Sequence, residues 1–222
     1  MNALTNFQTV TEKIKQAATV CERSEKDITL IAVSKMHEAE EILPLLQAGH
    51  RVFGENRVQE AQRKFPALKE QFPDLKLHLI GPLQTNKVRA AVSLFDVIES
   101  VDRFELAEKL AVEMEKQSKI LPCFIQVNTG EEPQKSGITP RETISFVKQC
   151  RDLGLNIVGL MCIPPADDEP APHFAFLKKL AQEAGVKELS MGMSDDYDLA
   201  VQQGATFVRV GTALFGQRDY SK

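Results

Sequence analysis

The chain has 222 residues, with 27 Lys and Arg against 31 Asp and Glu, and its hydrophobic share of 43% is that of an ordinary globular protein able to bury a core. A net charge of −4 speaks against broad nucleic-acid binding while leaving room for a local basic pocket that takes a small anion. No apolar run approaches the ~20 residues that cross a bilayer, and the start MNALTNFQTV carries no basic segment followed by an apolar stretch, so a cytoplasmic chain without membrane partners is expected.

In chain order, an amphipathic helix over 4–21 precedes a first β-branched run at 28–33. Further strands are predicted at 51–53, 77–80, 97–99, 123–127, 157–161, 188–191 and 207–210. Helical spacing fills the intervals at 38–47, 57–70, 85–93, 103–117, 140–153, 171–184 and 197–203. In one of these, Asp102 stands where a helix cap belongs, and Phe104, Leu106, Ala107, Leu110, Ala111 and Met114 recur at helical spacing. Eight apolar strands alternating with helices imply a parallel sheet covered by helices. The repeat of about 24 residues favours an α/β fold of the single (β/α)₈ TIM-barrel kind with an extra N-terminal helix. The competing architecture, an open doubly wound sheet, lacks support because no GxGxxG turn follows the first strand. No linker divides the chain, so residues 1–222 are expected to form one domain. Cys21, Cys123, Cys150 and Cys162 show no metal-ligand spacing and read as reduced thiols.

In such barrels the site lies at the C-terminal strand ends. The first strand ends Ile31-Ala32-Val33-Ser34-Lys35, and alternation puts Ile31, Val33 and Lys35 on one face. Lys35 therefore projects into the mouth, unless it is a solvated loop lysine. Arg209 is a charge inside the apolar last strand and needs a ligand or an ion-pair partner. Strands one and eight are neighbours in a closed barrel, so Lys35 and Arg209 are expected at adjacent strand ends. A neighbouring cation and desolvation would then lower the lysine pKa and favour Schiff-base chemistry. The loops Ser190-Met191-Gly192-Met193-Ser194-Asp195 and Gly211-Thr212-Ala213 present small residues, hydroxyls and backbone amides where these barrels often hold phosphate. A phosphorylated aldehyde fits these features together. Asn56, after strand two, can orient a ring or cap a helix. His78 is either a satisfied core histidine or a secondary site residue, and Lys135 is either a mouth lysine or a solvated one.

The segments AVSK at 32–35, FGENRVQE at 53–60, HLIGPLQTNK at 78–87, QVNTGEEPQKSG at 126–137, LSMGMSDD at 189–196 and VRVGTALFG at 208–216, taken together, resemble the pyridoxal-phosphate homeostasis proteins. The resemblance covers nearly the whole chain. It implies a barrel similar to the N-terminal domain of alanine racemase, with Lys35 as the lysine that binds pyridoxal 5′-phosphate (PLP). It further implies Ser194, Gly211 and Thr212 at the phosphate, Arg209 at the pyridine nitrogen and Asn56 beside the ring. Lys135, His78 and Met193 are secondary candidates. One departure is Glu38, where the family often has proline three residues after the lysine, which leaves the shape and charge of the first loop open.

An arginine at the pyridine nitrogen cannot accept its proton, so carbanion stabilisation should be weak. Alanine racemase adds, by resemblance, a second domain whose tyrosine acts as a base; none is expected here, and Tyr197 and Tyr220 are the only tyrosines. Tyr197 is expected on a helix surface or rim and Tyr220 in a frayed tail. The resulting expectation is a non-catalytic protein that stores, buffers or delivers PLP as a Schiff base, with PLP-dependent apo-enzymes as partners and a monomeric or weakly dimeric state. The alternatives are a small PLP-dependent racemase or lyase, and a PLP-free Schiff-base aldolase.

Overall fold

The computed structural model describes residues 2–216. Eight parallel strands close into a barrel in sequence order: β1 (Thr29–Val33), β2 (Val52–Glu55), β3 (Lys76–Leu79), β4 (Val97–Val101), β5 (Pro122–Val127), β6 (Asn156–Cys162), β7 (Glu188–Ser190) and β8 (Phe207–Val210). The helices are α1 (Ala3–Val20), α2 (Ala39–Gln47), α3 (Val58–Gln71), α4 (Val88–Leu94), α5 (Phe104–Lys116), α6 (Thr143–Asp152), α7 (Pro170–Ala184), α8 (Tyr197–Gln203) and α9 (Thr212–Phe215). Every expected strand and helix is present, with ends displaced by a few residues. The short α9 was not foreseen. It is too brief to cover the β8–β1 seam, and α1 takes that place, packing between α8, α9 and α2. Its buried face is Val10, Ile14, Ala17 and Ala18, and Asn6 Nδ2 donates to the Leu214 carbonyl of α9 (2.8 Å). The N-terminal helix thus completes the ring of helices.

Alternation along each strand divides the side chains between two layers. Leu30, Ala32, Phe53, Leu77, Leu79, Val208 and Val210 join the apolar core beneath the helices. The opposite set fills the barrel: the His78, Phe124 and Phe207 rings, from β3, β5 and β8, touch across it with centroids 5.5–5.6 Å apart. Ring contacts between strands this far apart in the sheet require an interior position.

Burial pushes the Cys123, Cys150 and Cys162 thiols up to about 12, so these are packing groups rather than thiolate ligands. Among the described residues no group of His, Cys, Asp and Glu could hold a metal, and no helix is long and apolar enough to cross a membrane.

Candidate functional site

Four buried polar side chains cross the barrel interior. His78 Nδ1 lies 2.6 Å from Glu99 Oε1 on β4, and the Ser190 hydroxyl of β7 donates to Glu99 Oε2 (2.6 Å). Arg209 Nη1 donates to the Ser190 hydroxyl (2.7 Å), and its Nη2 to the Cys162 carbonyl at the end of β6 (2.8 Å). All four residues are at most 4% exposed. The buried guanidinium is therefore linked to a buried carboxylate through one hydroxyl, which meets the requirement that a charge in an apolar interior be compensated. His78 is the satisfied core histidine of its two readings. It lies behind Arg209 in this chain of bonds.

The β1–β8 register places Arg209 beside Ile31. Lys35 lies two residues beyond the end of β1, on the turn that follows it. The two residues stand at the C-terminal ends of adjacent strands, Arg209 one residue before the end of β8 and Lys35 two residues past the end of β1. Lys35 is half-buried and follows the buried Ser34.

The turn carrying Lys35 is held from outside the sheet by a cluster that sequence reasoning missed. The Lys64 ammonium, on α3 and 1% exposed, donates to the backbone carbonyls of Ser34 (2.7 Å) and His37 (2.9 Å). It pairs with Glu55 Oε1 (2.6 Å) and Glu60 Oε1 (2.9 Å). Ser34 Oγ donates to the same Glu55 oxygen (2.7 Å), and the Met36 amide donates to Glu60. Met36 adopts φ +66°, a left-handed conformation uncommon for a residue with a side chain, and this strapping holds it there. Burial pushes the Glu55 carboxyl up, with Lys64 and Ser34 opposing that shift. A lysine between Ala61, Phe65 and Leu68 on the apolar stripe of α3 was the available signal. Glu38 forms a capping box with Glu41 at the start of α2 and pairs with Arg63 (2.7 Å). The first loop after Lys35 is thus shaped by a helix cap where the family often has a proline.

On the neighbouring β7–β8 side of the mouth, Ser194 Oγ accepts from the amides of Gly211 (3.3 Å) and Ala213 (3.2 Å). One hydroxyl and two amides from the loops after β7 and β8 are gathered at one point, a donor set suited to phosphate oxygens. A Cβ at Gly211 would lie 3.3 Å from the Val33 carbonyl and Cβ, so glycine lets the β8 loop lie against β1. Thr212 is exposed at the start of α9, and Met193 is 38% exposed on the neighbouring loop. Asn56 stands at the end of β2, so close to Gly81 that a Cβ there would meet the Asn56 carbonyl at 2.5 Å. Lys135 pairs with Glu132 (2.6 Å) within its own loop rather than extending into solvent. Tyr197 corrects the expectation of a rim tyrosine: it is 5% exposed in the core at the start of α8, and burial pushes its phenol up. Tyr220 lies outside the described residues.

Residues 6–219 match the family described as alanine racemase, N-terminal domain. The chain is 40% identical to the pyridoxal phosphate homeostasis protein of Pasteurella multocida, over 98% of both chains. Against the Escherichia coli protein of that name it is also 40% identical, covering 98% of this chain and 97% of the other. Among solved structures, PipY of Synechococcus elongatus with PLP bound is 41% identical with a TM-score of 0.79, covering 92% of this chain and all of that one. Alanine racemase of Clostridium difficile, 19% identical with a TM-score of 0.72, shares the fold over 58% of its own length.

Proposed function

This chain belongs to the pyridoxal phosphate homeostasis protein family, and from that premise we propose that it binds PLP at the barrel mouth, with Lys35 as the covalent attachment point, and serves as a PLP store or donor rather than a catalyst. The observation that carries this reading is the arrangement at the two levels of the mouth. Arg209 is fixed in the floor through Ser190 and the Cys162 carbonyl, and Ser194 gathers the Gly211 and Ala213 amides above it. These donors fit the group: amides and hydroxyls for a phosphate, a fixed N–H donor for a pyridine nitrogen, and a strand-end amine for an aldehyde. When bound, PLP supplies that aldehyde and an electron-withdrawing ring.

Each residue has a distinct task. Lys35 supplies the amine, on a turn that Lys64 holds through two carbonyls. Ser194, Gly211 and Thr212 take the phosphate, whose charge accounts for a cationic site in a chain of net charge −4. Asn56 stands beside the ring, with Met193 and Lys135 further out on the mouth loops. Arg209 donates a hydrogen bond at the ring nitrogen and accepts no proton, which keeps the ring a weak electron sink. Tyr197 is buried and offers no second base at the mouth. Both features favour holding PLP over turning over amino acids, with PLP-dependent apo-enzymes as recipients.

Borohydride reduction of the PLP-loaded protein followed by peptide mapping tests the attachment. The pyridoxyl mass is expected on Lys35, and a different labelled lysine in the unmodified protein would overturn the reading. Measuring α-proton exchange into deuterated solvent alongside PLP transfer to an apo-enzyme tests the carrier role. Slow exchange with transfer is expected, and fast multiple-turnover racemisation would make the protein an enzyme.

A further inference from the structure

A cleft of ≈ 800 Å³ opens on the β2–β5 side of the mouth, across from the Ser194–Gly211 loops. Arg57, Lys87 and Arg103 line it against one carboxylate, Asp102, a local balance of +2 in an acidic chain. Arg103 is engaged, donating to Asp102 Oδ1 (2.6 Å) and to the Leu83 carbonyl (2.8 Å). Arg57 and Lys87 make no side-chain hydrogen bond or ion pair with any described residue. By contrast, Lys64 behind the first loop is matched by two carboxylates and Lys135 by Glu132. Their placement is also unfavourable in the unliganded protein. Arg57 and Arg103 occupy the position before the first residue of α3 and α5, where side-chain oxygens are favoured, and Lys87 closes the 3-10 turn 85–87 that leads into α4; a cation in a first helical turn opposes the helix dipole at all three. Three cations set against that preference around one concave surface, two of them unpaired, are what an anionic ligand would compensate.

We propose that this cleft is a second anion site, separate from the Ser194–Gly211 loops, and that it takes a phosphate dianion. Two unpaired cations supply the charge, and the polar residues Gln59, Gln84 and Ser136 also line the cleft. Asn56 lines it too, so its ligand would sit beside the residue assigned to the cofactor ring. Only that adjacency rests on the PLP reading above; the site stands on its own residues.

The test is calorimetric titration of the full-length protein with inorganic phosphate, after PLP has been fixed on Lys35 by borohydride to fill the first phosphate site. One further equivalent is expected to bind. The double variant R57Q/K87Q is expected to weaken it at least tenfold, from loss of two charge-assisted contacts discounted for exposure. The unliganded variant is expected to melt at or above the wild-type temperature, because it removes cations from helix starts. No second equivalent, or unchanged affinity in R57Q/K87Q, would overturn the proposal, as would a lowered melting temperature, which would make the two cations structural. If borohydride leaves Lys35 unlabelled, the PLP reading fails by itself. The cleft is then tested on unmodified protein, as a phosphate equivalent that R57Q/K87Q removes and S194A retains; its survival in R57Q/K87Q would overturn the site.

Discussion

Arg209 and Glu99, on β8 and β4, are joined across the barrel interior by a single hydroxyl, that of Ser190, which donates to the carboxylate at 2.6 Å and accepts from the guanidinium at 2.7 Å. Neither charge has water to fall back on, so each depends on that oxygen. Ser190→Ala is expected to strand Arg209 Nη1 and Glu99 Oε2, costing about 2–4 kcal/mol of stability, above the range for one unsatisfied neutral group because both partners are charged. Urea unfolding of the apo-protein measures it. A cost below about 1 kcal/mol would mean that the two charges pair directly once the hydroxyl is gone.

Lys64 is the sole cation between Glu55 and Glu60. Removing one partner of a buried pair leaves an uncompensated charge, so Lys64→Met is expected to cost about 3–5 kcal/mol. The double variant Lys64→Met/Glu55→Gln should recover part of that loss. Because Lys64 also holds the Ser34 and His37 carbonyls, borohydride labelling of Lys35 should fall in both variants, which separates its hold on the turn from its role in stability.

On the proposed PLP reading, Ser194→Ala and Thr212→Ala would each remove a hydroxyl donor to the phosphate, worth roughly 1.5–3 kcal/mol before compensation. PLP affinity is expected to fall about tenfold or more per site, at 1.4 kcal/mol per decade. Backbone amides remain, so binding should persist. Pyridoxal without its phosphate should bind far more weakly than PLP in a direct titration; equal affinities would remove the phosphate from the mouth loops.

His50, between α2 and β2, sits against Phe7 and Phe53, with Nε2 2.7 Å from the Val52 carbonyl. Burial lowers its pKa from 6.5 to about 4. Between those values the unfolded chain binds the proton and the folded one does not, so stability is lost as pH falls from about 6.5 toward 4. His50→Gln is expected to flatten this acid limb in urea unfolding between pH 7 and pH 4.5. An unchanged slope would assign the limb to other groups.

The strand–helix alternation was legible in the sequence because a parallel sheet buried on both faces demands continuous apolar runs and its covering helices demand a periodic stripe. Segments such as 207–210 and 197–203 match the structure to the residue for that reason. Lys35, Ser194 and Gly211 could be singled out as well, since a barrel's site must lie at the C-terminal ends of its strands. What the sequence left open were relations between strands. That Arg209 stands beside Ile31 follows from a β1–β8 register that no local pattern encodes. The link from Arg209 through Ser190 to Glu99 and His78 spans 131 positions of chain, from residue 78 to residue 209, and exists only because closure brings β3, β4, β7 and β8 around one interior. Lys64 could be noticed on its helix, but its two carbonyl acceptors belong to the turn after β1, and only the packing of α3 against that turn decides what a buried ammonium will hold.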